Sequence, residues 1–151
     1  FITLCGQFKM PVVFLADTPG FMVGEATEHD GAVQAASDLF TAIAKSHSLK
    51  ICIVARKAYS AGLYAMAGAG FDCPLWAAPG ASISVFGPKA LDKFCEDRNG
   101  DEETIITIKQ IKKLANIPEL LSSTKLIDDV VEWGDFRKKI ESYFEKNSIS
   151  K

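Results

Sequence analysis

The chain has 151 residues, the length of one domain, and its 48% hydrophobic and 24% charged residues are typical of a globular protein. A formal net charge of -2 gives no electrostatic basis for binding nucleic acid or an anionic membrane surface. The longest apolar stretches fall short of the roughly 20 residues that a membrane span needs, and four cysteines without a C-x-x-C pair give no metal motif.

Helices and strands are predicted to alternate in the first third of the chain. An apolar stripe with helical spacing opens the chain and ends at Pro11, and this start inside a helix predicts a fragment of a longer protein. The continuous apolar run 12–16 predicts a strand buried on both faces. A turn and a glycine-bearing loop then lead to Gly31, followed by a helix over 32–47 and a buried strand over 51–55.

The middle of the chain is rich in small residues. A helix beginning at Ser60 holds many Ala and Gly residues, which allow close approach to its neighbours. Short strands are predicted over 75–78 and 83–86, with Pro88 favouring the first turn of another helix. Residues 99–100 (NG) mark a loop.

The last third predicts mainly helices. One helix ends before Pro118, a strand is predicted over 126–131, and Asp135 caps a final helix. Strands that alternate with helices predict the α/β class. Because charged residues are denser after residue 95, we expect a core over 1–95 and a helical cap over 96–151.

The first candidate site follows the first strand. Residues 17–20 (DTPG) match the D-x-x-G of GTPases, which contacts phosphate and magnesium. A GTPase also needs an N-K-x-D sequence downstream, and the chain has none. A sharp turn at a strand end is the simpler interpretation of the proline and glycine.

The second candidate site is residues 56–62 (RKAYSAG), after the second strand. A turn of small residues that enters a helix leaves backbone N–H groups without intrahelical acceptors. Such donors form an oxyanion hole where an oxygen gains charge in a transition state. The alternative is a tight helix–sheet contact that uses the same small residues.

A catalytic triad is a third possibility. Ser60 could be combined with His29 or His47 and with Asp17. No G-x-S-x-G elbow surrounds the serine, however, and two histidines in a chain are usually incidental. The triad is therefore the weaker hypothesis.

Several ordered motifs together indicate a family. They are residues 17–21 (DTPGF), 28–31 (EHDG), 56–59 (RKAY), 82–88 (SISVFGP) and 126–131 (LIDDVV). In this order they resemble the C-terminal half of the carboxyltransferases. These include the β-subunits of biotin-dependent propionyl- and acetyl-CoA carboxylases and related decarboxylase α-subunits, in the crotonase superfamily.

The resemblance implies a crotonase-like α/β fold with a helical C-terminal cap, and it makes residues 1–151 the biotin-side domain. The missing N-terminal domain would bind the acyl-CoA, and sites would form between domains of different subunits. Implied partners are a biotin carboxyl carrier protein or domain, a biotin carboxylase and further copies of the chain. The implied cofactor is carrier-borne biotin, without a metal, and the fragment alone is expected to be inactive.

The resemblance also assigns roles to residues. The backbone N–H groups of Ala61 and Gly62 would hold the ureido oxygen of biotin and stabilise negative charge on it. The family commonly has Y-G-G-A where residues 59–62 read YSAG. The residues expected to shape the biotin pocket are Gly20, Phe21, Tyr59 and Ser60.

Two alternatives stay open at this point. The same site could serve the α-subunit of a sodium-pumping acyl-CoA decarboxylase, or the fold could be a non-catalytic scaffold. Scattered thiols and no secretory signal predict a reducing compartment, the cytoplasm or, in a eukaryote, the mitochondrial matrix.

Overall fold

The computed structural model describes residues 1–22, 24–68, 70–87, 90–93 and 102–148. The helix start predicted at Pro88, the loop predicted at 99–100 and the boundary predicted between residues 95 and 96 lie outside these ranges.

Helices and strands alternate along the described chain. The helices are α1 (Ile2–Gln7), α2 (Glu25–His29), α3 (Ala32–Lys45), α4 (Ser60–Ala67), α5 (Glu102–Leu114), α6 (Pro118–Ser123) and α7 (Phe136–Ser148). The strands are β1 (Val12–Thr18), β2 (Lys50–Tyr59), β3 (Leu75–Ala77), β4 (Ser82–Ser84) and β5 (Asp129–Val130).

The strands form one parallel sheet. Its order is β1-β2-β3-β5, and β4 pairs with β2 beyond the end of β3. Parallel neighbours need crossover connections, which α3 supplies between β1 and β2 and α4 between β2 and β3. The carboxyl ends of the strands therefore lie at one edge of the sheet.

The two faces of the sheet carry separate apolar clusters. On one face Cys52, Val54 and Ala77 pack with Leu121 of α6 and with Leu63 of α4. The opposite face is covered by α7, whose apolar side chains pack on a cluster that contains Ile51, Ile53 and Trp76. Helices on both faces explain why β2 is continuously apolar from residue 51 to 55.

The prediction that β1 is buried on both faces is wrong. Val12 and Ala16 are buried, whereas Val13 and Leu15 on the other face are 42% and 67% exposed. The described part of β1 pairs only with β2, and α7 packs over β2 and β3 instead. A continuous apolar run in the sequence does not show whether a helix covers both faces of the strand.

Two short helices were not predicted. Helix α2 lies where the loop to Gly31 was expected. Helix α6 begins at Pro118, which also follows α5. The proline occupies the first turn of α6, where its missing N–H costs no hydrogen bond.

The C-terminal part of the chain is not purely helical. It contributes β5, which pairs with β3 through Trp76↔Asp129 and Ala77↔Val130. The carboxylate of Asp128 also accepts a hydrogen bond from the N–H of Leu75 at 2.7 Å. The division into a core and a helical cap stays a prediction. No helix in the described ranges is long and apolar enough to cross a membrane.

The two tryptophans provide a stability test of this packing. Trp76 is 4% exposed, its ring lies 5.8 Å from that of Tyr143, and Lys139 lies 5.0 Å above it. Replacing Trp76 with Ala in the complete protein should lower the free energy of unfolding by about 3 to 5 kcal/mol, because a cavity opens under α7.

Trp133 is the matched control, since it is 58% exposed and contacts Phe136 at 5.6 Å between ring centroids. Trp133→Ala should cost about 1 kcal/mol. Urea denaturation followed by circular dichroism measures both, and equal losses would contradict the packing of α7 on the sheet.

Candidate functional site

Three of the sequence motifs meet at the carboxyl end of β2. Thr18, at the end of β1, pairs with Ala58 of β2. β4 pairs with the last three residues of β2, from Lys57 to Tyr59. Ligands of open α/β sheets bind outside the carboxyl ends of the strands, so this edge is the candidate site.

The chain turns sharply from β2 into α4 at this edge. Tyr59 is still extended, with φ -120° and ψ 146°, and Ser60 has φ +55°. A positive φ is uncommon for a residue with a side chain and costs of order 1–3 kcal/mol. The first N–H groups of α4, which belong to Ser60, Ala61 and Gly62, have no acceptor within the helix.

Gly62 has a packing reason to be glycine. A Cβ added there would lie 2.9 Å from the Thr18 hydroxyl oxygen and 3.1 Å from the Gly20 Cα. Gly20 itself has φ +107°, and its N–H donates to the Thr18 hydroxyl at 3.1 Å. The first turn of α4 is therefore held directly against the loop after β1.

Tyr59 is part of the wall behind the turn. It is 8% exposed, and its hydroxyl donates to the hydroxyl of Ser82 at 2.9 Å. A Cβ added at Gly87 would lie 3.2 Å from the tyrosine ring. The side chain thus fixes β4 and the loop after it against β2.

An ion pair joins the first two motifs. Arg56 lies 2.9 Å from the carboxylate of Asp17. The pairing of β1 and β2 is irregular between Ala16 and Thr18, next to these two residues. Both side chains are exposed, so the pair contributes little to stability but links the strand ends.

An apolar groove of about 610 Å³ opens beside the turn. Ser60 and Ala61 form one end of it, and Gly62 is buried behind them. The other walls include Leu121 and Leu126, which no motif had indicated. They lie some 60 residues after the turn in the sequence, so no local spacing could have revealed them.

Phe21 is placed away from this groove. It is 41% exposed, and its ring lies 6.4 Å from that of Phe40. Phe40 also contacts Tyr64 and Phe71, at 5.9 and 6.4 Å. The structure therefore brings Gly20, Tyr59, Ser60, Ala61 and Gly62 together. It places Phe21 in an aromatic cluster with Phe40 of α3, Tyr64 of α4 and Phe71.

Two of the thiols, those of Cys52 and Cys73, are not suited to act as nucleophiles. Burial raises the pKa of both Cys52 and Cys73 to about 12, and each stays protonated at neutral pH. In the described residues no group of three His, Cys, Asp or Glu side chains could hold a metal ion.

The triad hypothesis finds no geometric support. Asp17 is paired with Arg56, and His29 lies 3.9 Å from Glu25 on the exposed side of α2. His47 lies in a separate pocket between α1 and α3.

A family model described as "Carboxyl transferase domain" matches residues 1–148. A Bacillus subtilis protein named "uncharacterized carboxylase YngE" is 38% identical over 160 residues, covering 97% of this chain and 31% of the relative. The "methylmalonyl-CoA decarboxylase subunit alpha" of Propionigenium modestum is 28% identical over 152 residues, covering 95% of this chain and 29% of the relative.

Among solved structures, transcarboxylase 12S superposes with a TM-score of 0.84 at 28% identity. The match covers 99% of this chain and 29% of that one, which was solved with methylmalonyl-coenzyme A and methylmalonic acid bound. The likeness confirms the expected α/β, crotonase-like fold. The chain spans less than a third of the length of each of these relatives.

The positive φ of Ser60 can be tested by stability measurements. Ser60→Gly should raise the free energy of unfolding by about 1 kcal/mol, because glycine adopts this φ without steric cost. Ser60→Ala is the control, since it removes the hydroxyl but keeps the Cβ. It should leave stability nearly unchanged, and an equal gain in both variants would contradict strain at the turn.

Proposed function

The chain belongs to the carboxyl transferase domain family, as its ordered motifs predict, and we propose that it supplies the biotin half-site of a biotin-dependent acyl-CoA carboxyltransferase. The observation that supports this most is the turn from β2 into α4, whose first N–H groups have no acceptor within the helix and lie where three strand ends meet.

The residues at the turn fit the ureido group of biotin. Its carbonyl oxygen is a compact acceptor, and the first turn of α4 offers N–H donors together with the positive end of the helix dipole. The close contact of Gly62 with Thr18 and Gly20 fixes those donors before a ligand arrives. Biotin, when bound, would carry the carboxyl group that is transferred.

The proposed catalytic contribution of the chain is electrostatic. Ala61 and Gly62 would donate their N–H groups to the ureido oxygen and stabilise the negative charge that develops on it. A donor of this kind is worth about 2.7 to 4 kcal/mol in related oxyanion holes. Gly20, Tyr59 and Ser60 would hold the turn in place, and Phe21 would border the site through its aromatic neighbours.

The direction of transfer is not set by these donors. A group that stabilises the transition state accelerates the forward and the reverse reaction equally. Because a decarboxylase α-subunit is among the relatives, decarboxylation in a sodium-pumping complex is the second candidate function. A non-catalytic scaffold of the same fold is the third hypothesis, and the variants below test it.

The partners follow from the proposal. We propose a biotin carboxyl carrier protein or domain and a biotin carboxylase, with the acyl-CoA bound by the rest of the complete protein. The solved transcarboxylase 12S is described as a hexamer, which supports a homo-oligomer here as well. The free thiols of Cys5, Cys52 and Cys73 favour a reducing compartment, either cytoplasm or mitochondrial matrix.

The donor hypothesis is best tested at Ala61. Ala61→Pro removes one N–H within the first turn of α4, where the lost N–H breaks no intrahelical hydrogen bond. Because proline also disfavours the φ of +55° at Ser60, the structure of this turn in the variant has to be checked alongside its activity. A substitution at Gly62 is less suitable, because any Cβ there collides with Thr18. In the complete protein Ala61→Pro should lower kcat for carboxyl transfer from methylmalonyl-CoA to biocytin by about 100- to 1,000-fold.

Ala61→Gly is the matched control, because it keeps the N–H and should retain kcat within about threefold. Thermal melting of both variants shows whether a lower kcat reflects the missing N–H donor or unfolding of the protein. Unchanged kcat in a folded Ala61→Pro protein would remove this site and favour the scaffold.

A further inference from the structure

The serine at position 60 occupies a backbone conformation that suits glycine better. Its φ of +55° lies in the left-handed region, where a Cβ causes steric strain. Lys9 and Lys125 also have a positive φ, but each follows the end of a helix, where this conformation is common. Ser60 instead begins α4, so the end of a helix does not explain its strain.

The usual structural reasons for a serine at a helix start do not apply to Ser60. A serine at the N-cap position accepts a hydrogen bond from the first turn, but the N-cap of α4 is Tyr59 and no side chain caps the helix. Within the described ranges the Ser60 hydroxyl makes no hydrogen bond, and the exposed side chain fills no space in the core. A strained hydroxyl without an intramolecular partner is instead suited to contact a ligand.

The side chain of Ser60 lies where the two motifs of the candidate site meet. Its Cβ is 3.5 Å from the position that a Cβ on Gly20 would occupy, so it lies against the loop after β1. Together with Ala61 it also lines one end of the apolar groove. The hydroxyl is therefore open to a ligand that approaches the first turn of α4.

We propose that the Ser60 hydroxyl is a catalytic group, a third donor to the ureido oxygen of biotin beside the N–H groups of Ala61 and Gly62. This rests on the proposed carboxyl transfer. When the carboxyl group is released from biotin, negative charge develops on the ureido oxygen, and an O–H donor stabilises that charge. A hydroxyl rotates to suit its acceptor, so it can follow the oxygen as the charge grows.

Ser60→Ala in the complete protein tests the hydroxyl, because it removes the donor and keeps the Cβ. The kcat for carboxyl transfer from methylmalonyl-CoA to biocytin should fall about tenfold or more, as for a lost hydrogen bond to a charged group. The KM for biocytin should stay within about threefold, since the donor gains most of its strength as the charge develops. Unchanged kcat in the folded variant would overturn the proposal.

Ser60→Gly and Ser84→Ala separate the hydroxyl from the shape of the turn. Ser60→Gly relieves the positive φ, so the protein should become more stable while kcat falls as far as in Ser60→Ala. A fall in Ser60→Gly alone would assign the effect to a more flexible turn and overturn the proposal. Ser84 carries another hydroxyl of the groove, on β4, and Ser84→Ala should keep kcat within about twofold. An equal fall in Ser84→Ala would also overturn it.

The hydrogen bond can also be observed apart from turnover. Difference infrared spectroscopy of bound biocytin, isotopically labelled at the ureido carbon, should place the C=O band at a higher wavenumber in Ser60→Ala than in the unaltered protein, because a lost donor strengthens the C=O bond. If this shift occurs without carboxyl transfer, the proposed function fails and the donor stands. Transfer without the shift would overturn the donor alone, and absence of biocytin binding would overturn both.

Discussion

The contact between the first turn of α4 and the loop after β1 is the constraint on which the candidate site depends. Gly62 lies so close to Thr18 and Gly20 that no side chain fits between them. This contact joins two motifs that are about 40 residues apart in sequence. It also holds the first turn of α4, with its backbone N–H groups, against the loop after β1.

Tyr59 extends the same constraint to the third motif. Its hydroxyl reaches Ser82 of β4, and its ring closes against Gly87. Buried hydrogen bonds of this kind fix one arrangement of neighbouring strands, because an unpaired partner would be costly. Tyr59 thus supports the turn from behind, while Ala61 and Gly62 carry the N–H groups proposed as donors.

Much of the fold was predictable because it depends on local patterns. The apolar run of β2, the small residues of α4 and the spacing in α7 are each visible in a short window. The exposed face of β1 was not predictable in this way, since burial depends on whether α7 reaches over Val13 and Leu15. Helix α2 is only five residues long, too short for a periodic signal.

The same distinction between local and distant residues applies to the candidate site. The turn from β2 into α4 was predictable because its residues are consecutive in the sequence, whereas its role as a donor site stays a proposal. The groove was not, because Ser60, Ile83 and Leu126 meet only after the sheet and α6 are in place. The turn is made of consecutive backbone groups, whereas the groove is made of side chains from distant segments. The lining of the groove can therefore change at residues such as Leu126 without disturbing the contact of Gly62 with Thr18 and Gly20.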